Sequence, residues 1–197
     1  MIYSVAYTVV FFICRLIFRL KMTGIENVPE GATLICANHT SLWDPILLAL
    51  FITKKYRPRF MAKAELFKNP LLGAVIKFFG AFPVERGSGD VKAIKKSLEV
   101  LNSGGKLIVF PEGGRIKGDE QAAAKTGAGM LALRTGAEVL PVYITPGKKR
   151  IFGRIDVIAG KPLTFIHDRS LGNVQYQTVA SEIMDTIRTQ NPEEGVI

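Results

Sequence analysis

Residues Asn38-His39-Thr40-Ser41-Leu42-Trp43-Asp44-Pro45 carry the clearest chemistry in the chain. One of the chain's two histidines stands five positions before an aspartate, directly after the apolar run Leu34-Ile35-Cys36-Ala37. A histidine works as a general base near neutral pH when a carboxylate fixes its tautomer and stabilises the imidazolium that forms. The spacing suits a tight turn at a strand end, where the carboxylate reaches back to the ring. No Gly-x-Ser-x-Gly nucleophile elbow accompanies it, so the hydroxyl to be activated belongs to a substrate rather than to the protein. The same residues also read as a helix start, with Asp44 as N-cap, Pro45 at the first helical position and His39 as a turn residue. The two readings are compatible, because each needs only one carboxylate oxygen.

Two further segments offer anion-binding chemistry. Phe110-Pro111-Glu112-Gly113-Gly114-Arg115 follows the apolar run Leu107-Ile108-Val109. Its glycines let backbone amides approach a ligand, Arg115 supplies a bidentate fork for phosphate, and Glu112 suits a polyol hydroxyl. Gly80-Ala81-Phe82-Pro83-Val84-Glu85-Arg86-Gly87 ends a strand in a charged pair, making Arg86 a second phosphate candidate. Taken singly, each segment reads equally well as a polar turn. Gly127-Ala128-Gly129-Met130-Leu131-Ala132 fits a dinucleotide pattern, but the preceding Gln121–Lys125 is polar and helical rather than a strand. His167 is remote from His39 and reads as a surface residue. No Cys or carboxylate cluster supports a metal, and no cofactor is expected.

The elements that must position these residues alternate β-like and helical runs after residue 22, the pattern of an α/β domain. Expected strands are 33–37, 59–62, 81–85, 106–110, 139–144 and 155–159. Expected helices are 90–102, 121–134 and 175–188, the first with Val91, Ile94, Leu98 and Leu101 along one face. With 197 residues the chain makes one domain with a full core. A formal charge of +9 points to an anionic partner. Much of the excess is clustered, in Lys54, Lys55, Arg57, Arg59 and Lys63 and again in Lys148, Lys149, Arg150 and Arg154. Aromatic residues do not interleave with these cations as nucleic-acid stacking platforms do, so no nucleic acid is expected. Cys14 and Cys36 form no Cys-x-x-Cys pair, and a reduced compartment is the default.

Val5–Cys14 is apolar apart from Thr8, with Arg15, Arg19 and Lys21 following. A bilayer span needs about 20 apolar residues, and this run is roughly half that. A signal peptide would carry its charge first and end in small residues. The expectation is an interfacial helix over residues 1–21, with Arg15 and Arg19 on one face reaching headgroups from the cytoplasmic side.

Four ordered blocks carry a resemblance: Asn-His-x4-Asp-Pro at 38–45, Gly-x-Phe-x3-Arg at 80–86, Phe-Pro-Glu-Gly-x-Arg at 110–115 and Leu-Pro-Val at 140–142. Together they resemble the 1-acylglycerol-3-phosphate acyltransferase family over about residues 33–145. The resemblance implies an acyltransferase domain over 22–197, a single α/β unit whose mixed, mostly parallel sheet is flanked by helices, behind the membrane-associated helix 1–21. It implies transfer from acyl carrier protein or acyl-coenzyme A to lysophosphatidic acid, by a monotopic or peripheral enzyme at an anionic membrane surface. His39 and Asp44 are then catalytic, while Arg86, Glu112, Gly113, Arg115 and Lys125 bind substrate. Backbone amides near 112–115 are candidates for the oxyanion. The third block departs from the usual Phe-Pro-Glu-Gly-Thr-Arg-Ser at Gly114 and Ile116, which lack the hydroxyls. A thioester hydrolase, an acyltransferase for glycerol 3-phosphate or another lysolipid, and a non-catalytic lipid-binding protein remain alternatives.

Overall fold

The computed structural model describes residues 2–52, 56–85, 90–115, 123–145 and 153–192. Its centre is a seven-stranded sheet in the order β1-β7-β6-β2-β5-β3-β4. The strands are β1 (Arg19–Thr23), β2 (Thr33–Ala37), β3 (Arg59–Lys63), β4 (Ala81–Val84), β5 (Lys106–Val109), β6 (Glu138–Ile144) and β7 (Arg154–Ala159). All neighbours pair in parallel except β6 and β7, which run antiparallel. Each strand expected from the sequence is present within one residue at either end.

The central strands are apolar beyond their first residues, Thr33, Lys106 and Glu138, because both sheet faces are covered. Every residue of β2 and of β5 is buried. Leu34 and Cys36 face one helical layer, while Ile35 and Ala37 face the other. The first layer holds α4 (Val91–Asn102), α5 (Gly127–Thr135) and α6 (Gly172–Arg188). The second holds α1 (Ile2–Ile17) and α2 (Asp44–Phe51), with α3 (Pro70–Phe78) beside them. Capping follows the side chains: Asp90 Oδ1 accepts from the amides of Lys92 and Ala93 at 2.9 and 3.0 Å, starting α4. Asn69 caps α3 by accepting from Leu72 N–H at 3.0 Å.

Three expectations need correction. The N-terminal helix ends at Ile17 rather than continuing to residue 21, and Arg19–Thr23 forms an edge strand on β7, from Arg19↔Arg154 to Thr23↔Ile158. Arg19, Lys21 and Thr23 point outward, while Leu20 and Met22 pack on the second core layer. That period-2 alternation decides the strand, so Arg15 and Arg19 do not share a helix face. The helix expected at 121–134 starts only at Gly127: residues 123–125 are not helical, and the Lys125 N–H donates instead to the Pro111 carbonyl at 2.8 Å. Helix α3 was not expected; its Leu71, Leu72, Val75 and Phe78 lie exposed rather than in a core stripe. Of the basic clusters, Lys54, Lys55, Lys148, Lys149 and Arg150 lie outside the described residues. Lys63 pairs with Glu65 and Arg154 with Asp156, each at 3.0 Å.

Gly129, part of the dinucleotide-like pattern, is explained by packing. A Cβ there would lie 2.0 Å from the Tyr176 carbonyl oxygen, where α5 crosses α6. Gly129→Ala should therefore destabilise the fold by about 1–3 kcal/mol, as overpacking does. Chemical unfolding measures it, and an unchanged midpoint would mean that the two helices do not meet at this glycine.

Candidate active site

The parallel strands end on one edge of the sheet, and loops leaving that edge are where α/β sheets gather ligands. His39 follows β2, Phe110–Arg115 follows β5, Glu85 follows β4 and Thr145 follows β6. His39 and Asp44 are 6 % and 1 % exposed, and Nδ1 of His39 lies 2.9 Å from Oδ2 of Asp44. The same oxygen accepts from the N–H groups of Thr40 and Ser41, both at 2.7 Å. An oxygen already accepting two amide donors acts as an acceptor toward the ring too. That assigns the proton to Nδ1 and leaves the lone pair on Nε2. The Phe110 ring stacks on the imidazole at 4.0 Å between centroids and 19° between planes, holding its tilt.

Asp44 is not the N-cap. It is the first residue of α2, with Trp43 before it and Pro45 after it, and its carboxylate turns back over the preceding turn. An aspartate there is also well placed beside the positive end of the helix dipole.

Two other buried groups hold the histidine in place. Asn38, for which the sequence suggests no role, spans 106 residues of sequence to β6: its Nδ2 donates to the Ile144 carbonyl and its Oδ1 accepts from the Ile144 N–H, both at 2.8 Å. The side chain thus replaces one peptide unit and extends the β2–β6 pairing, which otherwise ends at Ala37↔Val142. Glu112 reaches the same residue from β5: its Oε2 accepts from the His39 backbone N–H at 2.8 Å. Burial pushes the Glu112 carboxyl up to about 7, against the opposing effect of that amide, with the Asp44 charge adding to the rise and Arg188 reducing it.

His39 lines a cavity of about 340 Å³. Met61, Val84, Ile94, Val109, Met130 and Leu131 give it an apolar interior, and Glu85, Asp90, Gly113, Gly114 and Lys125 also line it. Gly113 has φ +71°, and a Cβ there would meet Lys125 Cδ at 2.6 Å and Nζ at 2.9 Å, so the lysine stem lies across the glycine. The Gly113 N–H donates to the Phe110 carbonyl at 2.9 Å, which removes it from the amides open to an oxyanion. Arg115 is exposed. Arg86 and Ile116 lie outside the described residues; Glu85, just before Arg86, donates its N–H to Asp90 Oδ2 at 3.0 Å. His167 is half-buried, 5.8 Å from the Tyr176 ring and far along the chain from this edge. Among the described residues no group of three or more potential metal ligands forms. The arrangement is that of a base with one open nitrogen at the head of an apolar slot. It suits proton removal from a hydroxyl beside a fatty chain.

A family model described as Acyltransferase matches residues 19–145. A 1-acyl-sn-glycerol-3-phosphate acyltransferase of Streptococcus pneumoniae is 34 % identical over 165 residues, 81 % of this chain and 60 % of that protein. One of Bacillus subtilis is 33 % identical over 149 residues, 73 % of each. This chain thus spans about 60 % of the length of the pneumococcal relative. A crystal structure of the 1-acyl-sn-glycerophosphate acyltransferase PlsC from Thermotoga maritima superposes with a TM-score of 0.63 at 27 % identity, covering 87 % of this chain and 73 % of that one.

Glu112 yields a pH signature. A carboxyl held near 7 in the folded state, against an ordinary 4.5, makes the native protein bind the extra proton between those values. Stability is then greatest below the ordinary value and declines as pH rises toward about 7. Glu112→Gln keeps an oxygen to accept from His39 but cannot ionise, so its stability relative to wild type should improve steadily across that window. Unfolding midpoints measured between pH 4 and 8 report this, and parallel curves for the two proteins would refute the assignment.

Proposed function

This chain belongs to the acyltransferase family, and on that premise we propose that it transfers a fatty acyl group from a thioester to the sn-2 hydroxyl of a 1-acylglycerol 3-phosphate. The observation that carries the reading is the buried His39–Asp44 pair at the head of an apolar cavity. Acyl carrier protein and coenzyme A both remain candidate donors, since both present the same thioester.

His39 Nε2 takes the acceptor's hydroxyl proton as that oxygen attacks the thioester carbonyl carbon. The tetrahedral intermediate collapses with C–S cleavage, and the imidazolium returns the proton to the departing sulfur. Asp44 keeps Nδ1 protonated throughout and balances the ring's charge. Such general-base assistance is worth about 10²–10⁴ in rate. Lys125 and Arg115, with Arg86, are the cations for the acceptor phosphate, and Gly113 keeps space for the Lys125 stem. Glu112 acts here by positioning His39. The apolar cavity takes the acyl chain, whose immobilisation converts a bimolecular step into a near-unimolecular one.

The acceptor is an amphiphile, and the protein carries a surface for meeting it in the bilayer. Val5, Val9, Phe12, Ile13 and Leu16 form an exposed apolar face on α1, joined by Leu42, Trp43 and Ile46 of the His-Asp turn and by Leu71, Leu72, Val75 and Phe78 of α3. Helix α1 has 16 residues, or roughly 24 Å at 1.5 Å per residue. No described helix is long and apolar enough to cross a membrane. The exposed apolar faces of these three elements, rather than residues 1–21 alone, support reading it as a monotopic protein on the cytoplasmic face.

His39→Ala should lower turnover about 100-fold or more in a protein that still folds. Purified protein assayed with both donors against lysophosphatidic acid, glycerol 3-phosphate and water decides the acceptor. Donor consumption without any acceptor would make it a hydrolase, and near wild-type turnover by folded His39→Ala would remove the mechanism.

Deleting residues 1–21 would also remove most of β1 and the buried core side chains of Cys14 and Phe18, so point changes test the anchor better. Phe12→Asp with Leu16→Asp should reduce vesicle association about tenfold or more while sparing turnover of a short-chain, water-soluble acceptor. Undiminished vesicle binding would place the anchor elsewhere.

A further inference from the structure

At the other end of the parallel strands from His39, Arg57, Arg59 and Lys77 border a pocket of about 230 Å³ with Tyr3, Phe78 and Phe79. Among the described residues no carboxylate lines it. Arg59 Nε is buried without a hydrogen-bond partner, a costly state for a charged donor. Arg57 has φ +43°, the one positive value at a described non-glycine residue, and its guanidinium rests on the Tyr3 ring at 4.5 Å. Among the described residues, a strained backbone and a buried guanidinium donor without a partner thus meet at one spot that the acyl-transfer chemistry does not use.

This pocket adjoins an apolar one. Tyr3 and Phe79 also line a cavity of about 250 Å³ enclosed by α1, α2 and α3, running past Cys14 and Ala49 to Trp43 and Pro45. The polar end and the apolar end together have the form of an amphiphile. We propose that the two spaces form one site for an anionic membrane phospholipid, distinct from the site of the reacting substrates. Its phosphate lies among Arg57, Arg59 and Lys77, and one acyl chain lies beneath α1. A free phosphate would leave the adjoining apolar space unfilled, and a purely apolar guest would leave the buried Arg59 donor unmatched. The occupant ties α1 to the body and the body to an anionic bilayer. The site does not depend on the acyl-transfer reading, because its test reads binding.

The test is native mass spectrometry of the whole protein in detergent, after incubation with phosphatidylglycerol, phosphatidylcholine or inorganic phosphate. Wild type should retain one phosphatidylglycerol. Arg59→Gln with Lys77→Gln should weaken retention about tenfold or more, the scale of a lost charge-assisted hydrogen bond. Lys92→Gln with Lys95→Gln, an equal charge loss on α4, should leave it unchanged. Ala49→Phe, filling the apolar cavity, should weaken phosphatidylglycerol but not inorganic phosphate. Should that variant not fold, wild type photolabelled by phosphatidylglycerol with a diazirine on its acyl chain decides the point, with label expected within residues 3–14, 43–50 and 75–79. Equal loss in the two double variants, equal retention of phosphatidylcholine, binding of inorganic phosphate alone, or label confined to other segments would each overturn the proposal.

Discussion

One carboxylate oxygen organises the active edge. Asp44 Oδ2 gathers the Thr40 and Ser41 amides and the His39 ring, and is itself almost wholly out of water. Burying a carboxylate is unfavourable unless its lone pairs are met, and three N–H donors meet them here. The tight turn, the imidazole tautomer and the start of α2 are therefore a single arrangement. Loss of the oxygen would free two buried or half-buried amides as well as the ring.

That arrangement is useful only if the turn is fixed relative to the cavity, and the sheet supplies this. Asn38 fastens the residue before His39 to β6, while Glu112 fastens His39 itself to the loop after β5. The imidazole is thus held from both neighbours of β2, and Phe110 from the same loop covers its ring. The third block does two jobs in consequence. Glu112 faces inward as a brace, while Gly113 lets the Lys125 stem cross to the cavity wall.

How much of this could be read from the sequence depends on the range of the interaction involved. Strands β2 and β5 are legible because they are short apolar runs closed by turn residues, and α4 because its stripe has helical spacing and a capping Asp90. The His39–Asp44 pair is local, five residues apart, and was legible for the same reason. Asn38 was not, because its partner lies 106 residues away and its role needs the β2–β6 register. Strand β1 was misread because Arg15 and Arg19 also match helical spacing; only pairing with β7 makes the alternation of Leu20 and Met22 decisive. Helix α3 hid because several of its apolar residues face outward instead of forming one core stripe. Gly129 falls in a dinucleotide-like pattern that the sequence already argues against, and the Tyr176 carbonyl supplies the reason for its missing side chain.

The central claim is that His39 stands with its proton on Nδ1 and a free lone pair on Nε2. It is tested most directly by ¹⁵N NMR of protein labelled in its imidazoles, with His167→Gln removing the other ring. The account predicts that neutral His39 shows a pyrrole-type Nδ1 and a pyridine-type Nε2, and that Asp44→Asn abolishes this preference. A pyridine-type Nδ1 in the wild-type protein, or a mixture of tautomers indifferent to Asp44→Asn, would contradict it.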